Sequence, residues 1–171
     1  MSRATRSRPR DIRTQRRPTP HSCWDHLIVA PLWVAYGANL GTLLRTCDAV
    51  GACMAVPDTP HYREALAKGD TLPRRPHIHR VRGSKEGWLR REAERSTLVA
   101  VELAEGAVAL PRLEPARGRT VVLLGHEHHG VPDEAMELAD LAVEIPMVGM
   151  GASLNVAVAG SLVLYRLAGL V

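Results

Sequence analysis

The sequence predicts an α/β domain built on a largely parallel sheet flanked by helices. Apolar runs of strand length alternate with helical stretches from residue 26 to residue 171, the pattern of a βαβ succession. Several of these runs, such as VVLL at 121–124, are apolar at every position, as strands covered on both faces must be. With 171 residues and 46% hydrophobic content, the chain suits one domain with a substantial core. Phe is absent and aromatics make up 4%, so Leu, Val, Ala and Met must fill that core.

Residues 1–20 contain three prolines and almost nothing to bury. They predict a flexible Arg-rich arm, with the folded domain over 21–171 and its first element near Trp24. A strand is expected over 26–32 (HLIVAPL), then a helix over 39–51 (NLGTLLRTCDAVG) opening on Asn39, a favoured N-cap residue. ACMAVP (52–57) reads as a second strand, YREALAKG (62–69) as a short helix and HIHRV (77–81) as a third strand. SKEGWLRREAER (84–95) is expected to be helical and STLVAVEL (96–103) extended. A short helical piece near 106–113 leads to the strand RTVVLLG (119–125), the helix DEAMELAD (133–140), the strand LAVEIPM (141–147) and a final helix from Ser153. Ligands of such sheets sit at the carboxyl ends of strands, so the loops after Leu103, Leu124 and Met147 are where a site is expected.

Net charge is +4, but it is unevenly placed. Residues 1–17 carry seven Arg against one Asp, and 63–95 carry ten basic against five acidic residues, while the remaining stretches are net acidic. Twenty of the 22 basic residues are Arg. Arg binds phosphate bidentately and stacks on bases, so RNA or DNA fits as a partner; a solubilising tail is the other reading of the arm. Cys23, Cys47 and Cys53 form an odd set without metal-ligand spacing, which argues for a reducing compartment, and the cytoplasm is expected. No apolar run approaches the roughly 20 residues of a membrane span, and the N-terminal stretch lacks the apolar segment of a signal peptide. No membrane association is expected. Dinucleotide, Walker and G-x-S-x-G patterns are all missing, which removes support for NAD, ATPase and Ser153-nucleophile readings.

Three stretches carry chemistry. In LLGHEHHGVP, Gly125 and Gly130 bracket a loop just past a strand, where bare backbone admits a ligand, and Glu127 sits between them. The HEHH cluster invites a metal reading, but the zinc-protease spacing needs His where Gly130 stands, so no metal is expected. In NLGTLLRTCDAVG, Gly41, Arg45 and Asp48 share one helix face. That face reads either as a holder of phosphate or ribose, with Gly41 clearing room beside the guanidinium, or as an ordinary surface with Arg45 paired to Asp48. In IPMVGMGASLNVAVAG, small and polar residues interrupt a strand and a helix that both predict dense packing. The following helix is apolar nearly all round, which calls for a partner subunit on its outer side or complete burial within one chain.

In this order, NLGTLLRT, GHEHHGVP and IPMVGMGASLNVAVA resemble motifs one, two and three of the SPOUT-superfamily RNA ribose 2′-O-methyltransferases of the TrmH type, over roughly residues 27–169. The resemblance implies a C-terminal deep trefoil knot, a rare exception to unknotted topology, and a homodimer. It implies methyl transfer from S-adenosyl-L-methionine to a ribose 2′-hydroxyl of tRNA or rRNA. The backbone from Ile145 through Met147 to Leu154, with Ser153, Gly125 and Glu102, would wrap the cofactor. Arg45 matches the position that serves the target ribose, with Asn39 six residues before it as in the family pattern; Glu127 and Asn155 would organise the site, and Ser153 would touch cofactor or ribose. As a residue type, Ser153 also suits the cap of the last helix. Because an arginine pKa exceeds about 12, Arg45 is expected to hold the target phosphate and stabilise the developing alkoxide rather than act as a base. Two alternatives stand beside this: a catalytically silent RNA-binding relative, and methylation at another RNA atom. The presence of Asn39, Arg45, Glu127, Ser153 and Asn155 together argues against silence.

Overall fold

Residues 26–72 and 75–171 are described by a computed structural model; the expected arm over 1–20 and Trp24 lie outside the described residues. Strand β1 (Leu27–Ala30) leads into helix α1 (Gly37–Val50), β2 (Cys53–Pro57), α2 (Pro60–Gly69), β3 (Ile78–Val81) and α3 (Lys85–Ala93). Then come β4 (Thr97–Val101), β5 (Val108–Ala109), β6 (Thr120–Leu123), α4 (Asp133–Met136), β7 (Leu141–Glu144) and α5 (Val156–Leu167). The seven strands form one sheet in the order β3-β2-β1-β6-β4-β7-β5, and every pairing is parallel. Alternation along each strand divides the core. Leu27 and Val29 join the cluster beneath α1, α2 and α5, whereas Ile28 and Ala30 join the one beneath α3 and α4.

The buried residues of α1 include Leu40, Leu43, Leu44 and Cys47, one stripe at helical spacing. The helix stops at Gly51, whose φ of 75° suits glycine alone without strain. Its start differs from expectation, since Tyr36 occupies the N-cap position and Asn39 lies within the first turn, its amide turned to Glu127. Gly41 also differs. A Cβ there would meet the Gly69 Cα at 3.0 Å, and one at Gly37 would meet the Ala65 Cβ at 2.9 Å. These glycines therefore let α1 and α2 cross closely, which accounts for Gly41 without any role beside a guanidinium.

The C-terminal helix begins at Val156, capped by Asn155, whose Oδ1 accepts from the N–H of Ala157 (2.9 Å) and Val158 (3.2 Å). The cap expected at Ser153 thus falls two residues later. The piece near 106–113 is a two-residue strand, paired with β7 and followed by a 3-10 turn at Leu110–Arg112, because β7 offers it an open edge. Helix α4 is a single turn rather than eight residues, as the chain turns so that the Asp140 carboxylate accepts from the Leu98 N–H (2.7 Å) while its own N–H donates to the Leu98 carbonyl.

Candidate active site

The carboxyl ends of β4, β6 and β7 open into a cleft of about 940 Å³, lined by residues 101–104, 124–131 and 143–147 together with Ala152, Ser153, Leu154 and Val156. The three loops expected to carry a site all contribute. Glu102, Gly125, Ile145, Met147, Ser153 and Leu154, expected from sequence to hold a cofactor, all face this one cleft. Gly125 is obligatory: a Cβ there would overlap the backbone of Gly130 and Val131. Glu102 ties two walls together, Oε2 accepting from the Val131 N–H (2.9 Å) and Oε1 from its neighbour Leu103 (3.1 Å).

From Glu127, which lines the cleft, a polar chain runs to two residues behind its lining. Glu127 Oε2 accepts from the Ala35 N–H (2.9 Å), and Oε1 from the Tyr36 N–H (3.0 Å) and the Asn39 amide (2.8 Å). Asn39 Oδ1 in turn accepts from the Asn155 amide at 3.0 Å, and Asn155 caps α5. Three residues distant in sequence thus lock the β6 loop, the entry to α1 and the start of α5 into one unit. Burial pushes the Glu127 carboxyl upward, but the donors from Ala35, Tyr36 and Asn39 outweigh it and hold the group below the usual carboxylate range.

Two contributors escape sequence reasoning. Tyr62 is buried and its hydroxyl bonds to the carbonyls of Leu32 and Val34, both at 3.0 Å, fixing the loop that offers its N–H groups to Glu127. Burial, with the nearby Glu127 charge, pushes its phenol up to about 12. Tyr36 is exposed, with its hydroxyl 3.2 Å from His128 Nε2 at the cleft rim. A lone tyrosine, whether among apolar residues as Tyr36 is or among charged ones as Tyr62 is, gives no sign of either arrangement. Arg45 does not line the cleft. It is exposed on α1, with Nη1 3.3 Å from Thr71 Oγ1.

The parallel sheet thus carries a glycine-walled cleft at its carboxyl ends, braced by a Glu–Asn–Asn chain, and bare backbone there can admit a ligand closely. Residues 27–165 match the SpoU rRNA methylase family, and the chain belongs to it. Over 132 residues it is 34% identical to a tRNA (guanosine(18)-2′-O)-methyltransferase of Escherichia coli K12, covering 75% of this chain and 56% of that protein. The enzyme of the same name from Thermus thermophilus is 37% identical over 137 residues, covering 75% of this chain and 66% of that one. The crystal structure of an AdoMet-bound rRNA methyltransferase from Sinorhizobium meliloti superposes with a TM-score of 0.70 at 30% identity, over 83% of this chain and 55% of that one. The chain thus spans little more than half the length of the first relative. No helix among the described residues is long and apolar enough to cross a membrane.

Proposed function

We propose that this chain transfers a methyl group from S-adenosyl-L-methionine to a ribose 2′-hydroxyl of tRNA or rRNA, a reading that implies work in the cytoplasm. The observation that carries it is the convergence of Glu102, Gly125, Ile145, Met147, Ser153 and Leu154 on one cleft, in a member of the SpoU family. The cleft fits such a cofactor, because its walls are bare backbone at Gly125 and its rim offers Ser153 and apolar Leu154 and Met147. When bound, the cofactor supplies an electrophilic methyl group on a sulfonium. The protein's task is then alignment of the 2′-oxygen and charge stabilisation. Glu127, Asn39 and Asn155 position the cleft walls, and Arg45 holds the target phosphate while the proton leaves to phosphate, water or a neighbour.

Radiolabelled transfer from the methyl donor to tRNA and rRNA, followed by alkaline hydrolysis, tests this directly. Label should appear in alkali-resistant dinucleotides, since a methylated 2′-oxygen cannot attack its own phosphate. Label in alkali-sensitive mononucleotides would mean base methylation, and no label a silent binding protein.

Arg45 acts, on this reading, within a homodimer. Val158 and Leu162 are 46% and 40% exposed, apolar residues one turn apart on the outer side of α5. Thr46 Oγ1 lies 2.7 Å from Ser161 Oγ, so the turn of α1 bearing Arg45 adjoins this stripe. A second copy covering the stripe would therefore come beside Arg45. Val158→Asp should sediment as a monomer; a dimer that persists removes the stripe as the interface. The same reading includes a C-terminal knot. It is supported by the strap between β4 and β6, which binds the far end of α5: Arg166 donates to the carbonyls of Leu113 and Pro111, and the Ala116 N–H donates to the Leu167 carbonyl. Stretched from its two ends, a threaded chain should stop short of its full contour length by the residues held in the tightened knot; extension to the full length would argue for an unthreaded path.

A further inference from the structure

Strand register, not sequence spacing, brings Cys53 and His79 together. β2 and β3 pair with Ala55 opposite His79, and the Met54 N–H bonds to the His77 carbonyl at 3.0 Å, so Cys53, His77 and His79 share one face of the sheet edge. Their potential ligand atoms all lie within 4.8 Å of one another. The two imidazoles stack with ring centroids 4.4 Å apart, and His79 Nε2 is buried with no hydrogen-bond partner among the described residues. We propose that Cys53, His77 and His79 bind a borderline divalent metal ion of the zinc class, with water completing the coordination.

The chemistry of the set supports this. A thiol and two imidazoles are the donors that zinc and cobalt prefer, and a buried imidazole nitrogen without a partner is costly unless something accepts its lone pair. Tetrahedral zinc places its nitrogen and sulfur ligands about 3.4–3.6 Å apart, and rotation of the exposed His77 ring can supply the remaining closure. Arg95 and Arg119 lie near His79, but both are bound to Glu92, which offsets their charge. Cys53 opens β2 and His77 precedes β3, so the site sits at the amino ends of the strands, across the sheet from the cleft. Its effect would be structural, pinning edge strand β3 to β2.

The test is titration of the chelator-treated full chain with Co²⁺. One equivalent should bind with a thiolate-to-cobalt charge-transfer band and raise the melting temperature. Cys53→Ser should abolish the band, and His77→Ala, an exposed change that leaves the fold intact, should weaken binding by at least about tenfold. Absence of the band in the unaltered protein would overturn the site. So would equal affinity in His77→Ala, which would place the ion elsewhere, for instance at His126, His128 and His129.

Discussion

The two ends of the parallel sheet each hold an ionised glutamate, and they hold it by opposite means. At the carboxyl ends, half-buried Glu127 is fixed by uncharged donors, two backbone N–H groups and an asparagine. At the amino ends, the Glu92 side chain is 2% exposed and meets Arg119, Arg95 and Ser96. In both, burial works against the charge and the donors win, so both carboxyls sit below their usual range. The difference lies in what each one holds. Glu127 holds a loop, which can still find water without it; Glu92 holds cations, one of them an Arg119 side chain only 9% exposed. A site that must open to a ligand is built from the first kind of contact, and a closed base from the second.

The sharpest way to break that comparison is Glu92→Ala. It takes the carboxylate away from the buried Arg119 guanidinium, and breaking a buried ion pair by removing one partner costs about 3–5 kcal/mol. Urea unfolding should show that loss, while uptake of the demethylated cofactor product by the folded fraction stays unchanged. The double variant Glu92→Leu/Arg119→Met, which removes both charges, should recover most of it. A loss below about 1 kcal/mol in the single variant would mean that water already screens the pair.

The legibility of the sequence follows the same division. Alternating apolar runs reveal the layers, and the second and third motifs reveal the cleft, since Gly125 of one and Ala152, Ser153 and Leu154 of the other line it, whereas Gly149 and Gly151, which the sequence groups with them, stand in open space. Asn39 reads as a cap because its type and position suit that role, while its actual partner is 88 residues away. Gly41 reads as room for a guanidinium because the neighbour it accommodates, Gly69, comes from another helix. Cys53, His77 and His79 do not read as a group for the same reason: strand register, which no spacing rule encodes, sets their proximity. Contacts within one element are legible, and contacts between elements are legible only where a motif already links them.

The smaller effect is expected at the other end, and pH separates it from the rest. Glu127→Gln keeps one carbonyl acceptor but turns an N–H₂ toward either Ala35 or the Tyr36–Asn39 pair, losing about 0.5–1.5 kcal/mol at neutral pH. Methyl transfer should fall further than the roughly tenfold to which the top of that range corresponds, if the loop must be held for alignment. Because the folded-state pKa of Glu127 lies below its ordinary 4.5, its contribution is complete above that value and is lost as pH falls through the folded pKa. The stability gap between wild type and Glu127→Gln should therefore be constant above about pH 6 and close on acidification. Glu92 titrates in the same direction but is present in both proteins, so it cancels in the difference. A gap that stays the same down to the acid limit would show that the Ala35, Tyr36 and Asn39 donors gain nothing from the negative charge, and the contrast between the two glutamates would then reduce to burial alone.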